Sequence, residues 1–171
     1  MIRVGVIGYG YWGPNLVRNF AEVPGSEVVA VSDLRLERLA QAQARYAAIR
    51  TTTDCDDLLA DPTIEAIVIA TPAETHHTLA RQALLVGKDV LCEKPLALTC
   101  GEGAELVRLA ERHGRILMVG HVLEYHPAVA RLLELVRSGE LGRVHYIYSS
   151  RLSLGKVRRE ENILWSFAPH D

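Results

Sequence analysis

The stretch GVIGYGYWGPN, residues 5–15, places four glycines directly behind an apolar run that starts at Ile2. Glycine weakens any helix or strand that contains it, so the cluster needs a reason. Gly8, Gly10 and Gly13 fit the pattern G-x-G-x-x-G. Alone that pattern is weak. Here it follows a strand and opens a helix in which Leu16, Val17 and Phe20 recur at helical spacing, and a second strand follows at 27–31. In that setting Gly8 allows a tight turn, Gly10 lets a pyrophosphate reach the backbone, and Gly13 lets helix and strand pack closely. Phosphates would then meet the helix N-terminus, where free N–H groups and the dipole favour negative charge. Asp33 ends the second strand, where its carboxylate can accept hydrogen bonds from adenosine ribose hydroxyls. It would also repel a 2′-phosphate, so NAD is expected ahead of NADP, with Arg35 partly offsetting the repulsion.

The alternation continues. A helix carries Leu36, Leu39 and Ala40 on one face, 51–53 suits a short edge strand, and IEAIVIA (64–70) suits a strand buried on both faces. A helix over 76–86 ends at Gly87, and a strand follows over 89–92. Thr99-Cys-Gly-Glu102 has capping-box form and opens a helix to His113, before a last strand over 116–119. Continuous apolar strands separated by helices predict a Rossmann-type, doubly wound α/β fold with a parallel sheet. After residue 120 the pattern changes. Val129, Leu132, Leu133 and Val136 predict an amphipathic helix over 127–137. VHYIYSSRLSL, 144–154, alternates with period two and predicts the first strand of a different, half-exposed sheet. Domains are therefore expected over 1–120, a nucleotide-binding domain, and 121–171, the junction helix and beginning of an incomplete second domain.

Nineteen basic against 21 acidic residues leave a formal charge of −2, which offers nothing to nucleic acid or an anionic membrane. No apolar run reaches membrane-spanning length and the first strand leaves no room for a leader, so a cytoplasmic protein is expected. Cys55, Cys92 and Cys100 are unevenly spaced and suit reduced, buried small hydrophobes better than a disulfide framework.

Ala70 ends a strand, and Thr71-Pro72 turns at the C-terminal edge where open α/β sheets bind ligands. The next strand ends at that edge in Glu93-Lys94-Pro95. A lysine there can donate to a substrate hydroxyl or carbonyl and stabilise alkoxide charge; the plainer alternative is a solvated surface residue. Tyr11 and Trp12 inside the loop, with Arg35, Thr71, Pro72 and Glu93, complete the residues expected near the cofactor.

These segments, with MVGHVLEYHPAV, GRVHYIYSSR and WSFAPHD, resemble the Gfo/Idh/MocA family of glucose–fructose oxidoreductases and inositol dehydrogenases. The most specific piece is EKP after a G-K-x-V-x-x turn and strand. The resemblance implies a Rossmann domain followed by a larger, mostly antiparallel α+β domain that covers the active site and mediates homo-oligomer formation, in chains about twice this length. It makes Lys94 the lysine that contacts the reacting hydroxyl, His170 the proton-transferring histidine, and His76 a histidine near the cofactor. The family often has an aspartate four residues before that histidine; here the position is Ser166, so a carboxylate partner must come from elsewhere. The C-terminal stretch resembles members that oxidise UDP-linked N-acetylamino sugars or their uronates, and Lys156, Arg158 and Arg159 could meet a substrate diphosphate or form a solvated basic loop balanced by Glu160 and Glu161.

His121 and His126 flank the domain junction and either line a substrate cleft or serve structure, and Tyr125 is expected with His121 on the substrate side. His76 and His77 are neighbours without a further ligand cluster, so no metal is expected. The expected activity is hydride transfer between a sugar or nucleotide-sugar hydroxyl carbon and nicotinamide; the alternative is a non-catalytic dinucleotide-binding module or an orphaned half-enzyme.

Overall fold

A computed structural model of the chain describes residues 1–150. The chain divides into two compact units, Met1–Gly120 and a second beginning at His121. The first alternates strands and helices: β1 (Ile2–Ile7), α1 (Gly13–Glu22), β2 (Ser26–Ser32), α2 (Leu36–Arg45), β3 (Arg50–Thr52), α3 (Asp56–Ala60), β4 (Ala66–Ile69), α4 (Ala73–Leu85), β5 (Asp89–Cys92), α5 (Cys100–His113) and β6 (Leu117–Val119). All pairings are parallel, in the order β3-β2-β1-β4-β5-β6. Successive strands run outward from β1 and then outward the other way from β4. That reversal between β1 and β4 opens a crevice at the C-terminal strand ends, the position at which such sheets take ligands.

Both faces of the sheet are covered, as its strands require. Val4 and Val6 of β1, Val31 of β2 and Val68 of β4 pack on one face with Val17 of α1 and Leu39 and Ala42 of α2. Ile7, Ile67, Ile69 and Val90 pack on the other with Leu58, Ala80, Leu84, Leu106 and Leu109 from α3, α4 and α5. Alternate residues of one strand thus feed opposite cores. The capping box at α5 forms as read: Thr99 Oγ1 accepts from Glu102 N–H, and the Glu102 carboxylate accepts from Thr99 N–H. Gly114 closes that helix in the left-handed region, φ 59°.

Three expectations are corrected. Residues 144–150 form no strand: alternation sorts side chains to two sides, but a strand exists through ladder bonds, and no described residue supplies them. α4 starts at Ala73, three residues earlier than its apolar spacing suggests, because Pro72 takes an extended N-cap geometry directly after Thr71. Cys100 is exposed at the start of α5, whereas Cys92 is buried and Cys55 half-buried. In the second unit, a 3-10 turn (Val122–Tyr125) precedes α6 (Pro127–Arg137), the amphipathic helix expected there. No helix among the described residues is long and apolar enough to cross a membrane.

Candidate functional site

The three loop glycines have different reasons to be glycine. Gly8 sits at φ +98°, and a Cβ there would lie 2.6 Å from Ala70 O. A Cβ on Gly13 would lie 2.2 Å from Gly8 O. The protein's own packing requires both, the first against the β4 end and the second within the loop. Gly10 is unlike them: its nearest neighbour would be Arg35 Nη2 at 3.6 Å. Nothing in the fold forbids a side chain there, so the space it leaves is open to something outside the chain. α1 begins beside it with no side-chain cap on its N-terminus; Pro14 carries no N–H, and the Asn15 and Leu16 N–H groups donate to Trp12 O.

Asp33 ties this loop to the end of β2. Its carboxylate accepts from Tyr9 N–H at 2.7 Å, from Arg35 N–H at 2.9 Å and from Arg35 Nε at 3.1 Å. Burial pushes the Asp33 carboxyl up, but the Arg35 hydrogen bonds and the Tyr9 N–H outweigh it and hold the group below its ordinary value. The sequence placed Asp33 as an acceptor for a ligand; the bond to Tyr9, which also fixes the loop, was not legible. Arg35 side chain is half exposed (51%) and lies across from Gly10.

On the other side of the crevice, Thr71 and Pro72 follow β4. The Thr71 methyl lies 3.0 Å from where a Gly8 Cβ would stand, so this turn meets the glycine loop directly. Thr71 Oγ1 and Thr75 Oγ1 hydrogen-bond at 2.7 Å. Glu93 and Lys94 follow β5, both half-buried, and the Lys94–Pro95 peptide is cis. Glu93 N–H donates to Ile69 O, extending the β4–β5 ladder, and the Glu93 carboxylate fills the space Gly120 leaves. His76, in the first turn of α4, is 1% exposed, with both ring nitrogens engaged by the backbone carbonyls of Thr71 and Pro95. The fold therefore gathers Gly8–Gly13 with Tyr11 and Trp12, Asp33, Arg35, Thr71, Pro72, Glu93 and Lys94 at the C-terminal ends of four adjacent strands.

Residues 2–121 match the family described as oxidoreductase family, NAD-binding Rossmann fold, Gfo/Idh/MocA. The chain belongs to this family. Among Gfo/Idh/MocA relatives, a 2,7-anhydro-N-acetylneuraminate hydratase of Mediterraneibacter gnavus is 35% identical over 94% of this chain and 41% of its own length. An inositol 2-dehydrogenase of Acidothermus cellulolyticus is 35% identical over 82% of this chain and 42% of its own. The crystal structure of GenD2 from gentamicin A biosynthesis, in complex with NAD, superposes with a TM-score of 0.78 at 33% identity, covering 81% of this chain and 40% of that one. The chain spans less than half the length of these relatives. Its first unit is the family's NAD-binding Rossmann fold.

His121, half-buried, and Tyr125, exposed, fall in the second unit. Lys156, Arg158, Arg159 and His170 lie outside the described residues.

Proposed function

We propose that this chain is the cofactor-holding part of an NAD-dependent dehydrogenase that acts on a hydroxyl of a sugar or nucleotide sugar. Gly10 carries the reading: it is the loop glycine that internal packing does not require, and it lies where a pyrophosphate would approach the backbone. The loop N–H groups and the α1 N-terminus would hold the phosphates, and Asp33 the adenosine ribose. NAD is favoured over NADP because of the Asp33 charge, although Arg35 already neutralises part of it.

A bound nicotinamide supplies the acceptor for the hydride that leaves the hydroxyl-bearing carbon. Lys94, at the strand end beside the cofactor loops, donates to the substrate oxygen and stabilises its developing negative charge. His170 takes the hydroxyl proton, a role supported by its match to the family pattern. The names of the relatives, an inositol dehydrogenase and an anhydro-N-acetylneuraminate hydratase, support a polyhydroxylated ring as substrate. The resemblance of the C-terminal stretch supports UDP-linked N-acetylamino sugars or their uronates within that class, for which Lys156 and Arg158 would serve the diphosphate and His121 and Tyr125 the sugar. On the same footing we place the cofactor domain at 1–120, the start of the substrate domain at 121, and the working enzyme as a cytoplasmic homo-oligomer.

Calorimetric titration with NAD tests the core of this reading. Wild-type chain should bind and Gly10→Val should not, with unchanged circular dichroism; equal affinity in both removes the assignment. In a longer protein carrying the second domain, Lys94→Ala should remove turnover and leave NAD affinity in place.

A further inference from the structure

His76 is buried on α4 with Nδ1 2.7 Å from Pro95 O and Nε2 2.8 Å from Thr71 O. A carbonyl oxygen only accepts, and a neutral imidazole carries a single N–H. A neutral ring would donate to one carbonyl and turn a lone pair on the other. Rotating the ring by half a turn does not help, because carbons would replace both nitrogens at the carbonyls. Those oxygens belong to the two strand ends that form one wall of the crevice. Thr71 follows β4 and packs at Gly8, and Pro95 follows Lys94.

We propose that His76 is the positioning residue for Lys94: one buried ring engages Pro95 O through Nδ1 and Thr71 O through Nε2. The ring thereby pins the Lys94 turn to the turn that meets the cofactor loop. This rests on the reading of Lys94 given above. His76 offers no atom to a ligand, since both nitrogens are used within the fold. Its effect reaches the chemistry through the backbone that holds Lys94.

Two measurements on the 171-residue chain decide it. In spectra of protein labelled with 15N-histidine, a ring N–H of His76 should be protected from exchange with solvent; a freely exchanging ring overturns the proposal. Side-chain replacement then separates the two ties. His76→Asn places an amide N–H near the Nδ1 position and keeps the bond to Pro95, whereas His76→Gln places one near Nε2 and keeps the bond to Thr71. The sequence holds three lysines, 88, 94 and 156, so the rate at which an amine-reactive ester labels Lys94 is readable by mass spectrometry. His76→Gln should raise that rate roughly tenfold, the scale of a lost hydrogen bond. His76→Asn should stay within about twofold of wild type, and Lys88 labelling should not move in either. Equal rates in the two variants, or a parallel rise at Lys88, would mean general stability rather than positioning and would overturn the proposal. None of these readouts uses turnover. A longer enzyme that kept its kcat after Lys94→Ala would remove the role of Lys94 and leave the clamp intact.

Discussion

The two walls of the crevice are fastened by opposite chemistry. On the β1–β2 side a carboxylate, Asp33, collects N–H groups from Tyr9 and Arg35. On the β4–β5 side an imidazole, His76, collects the carbonyls of Thr71 and Pro95. Each joins the loops after two neighbouring strands, and each is buried. They differ in what remains for a ligand. Asp33 lies at the crevice beside the exposed Arg35 and doubles as fastener and expected ribose acceptor, whereas His76 is used up within the fold. Residues on the first wall should therefore couple stability to binding, and those on the second should affect binding only through position.

The sharpest break of this comparison is inside the glycine loop. Gly13→Ala drives a Cβ into Gly8 O and should cost about 3 kcal/mol or more in urea unfolding, since backbone cannot yield as a flexible side chain does. Gly10→Val should leave that curve within about 0.5 kcal/mol while abolishing NAD binding by calorimetry. Similar losses of stability in both variants would erase the distinction between packing glycines and the ligand-facing one.

Asp33→Ala should weaken NAD binding at least tenfold, since a hydrogen bond to a charged group is worth about 1.5–3 kcal/mol. It should also destabilise the loop by leaving the Tyr9 N–H without its acceptor. Unchanged affinity would show that the carboxylate is a fastener only. The pH dependence follows from its lowered pKa. A carboxyl whose folded value lies below the unfolded one, about 3.9, contributes stability that is complete above the unfolded value. That contribution is lost as pH falls through the folded value. Asp33→Asn should flatten the wild-type decline in unfolding free energy below about pH 4, measured by urea titration at stepped pH; an unchanged slope would mean that other carboxylates govern the acid limb. The smallest effect belongs to Arg35→Ala. Its side chain is half exposed, so removing the ion pair should cost less than about 1 kcal/mol. The unneutralised Asp33 should then repel a 2′-phosphate more strongly, shifting the ratio of NAD to NADP affinities severalfold towards NAD. A shift towards NADP would contradict the part given to Arg35.

The glycine loop, the parallel sheet and the capping box were legible because residue types encode them: backbone freedom, apolar runs, a Thr three residues before a Glu. The five-residue α3 was not, because Asp56–Ala60 is too short to show a period. The strand expected at 144–154 shows the reverse error over its described part, 144–150, where alternation has no ladder partner among the described residues; 151–154 lie outside them. The fastening of the site was invisible for a different reason. His76 holds backbone carbonyls five and 19 residues away, and Asp33 holds a backbone N–H 24 residues before it. Every residue but proline carries both groups, so no residue type marks the partner.

Lys88 gives the molecule an internal reference for chemical labelling. Its ammonium is sealed at 4% exposure and donates to Asp61 O and Ile64 O at 2.7 and 2.8 Å. Burial pulls its pKa down against the attraction of Asp61. A reagent can reach it only when the connection between α3 and β4 comes away from the sheet, so its reaction counts large openings of the Rossmann unit. Lys94, half-buried at the crevice, responds to far smaller movements. With so few lysines in the chain, the ratio of the two signals in one mass spectrum separates a loop that has shifted from a domain that has unfolded.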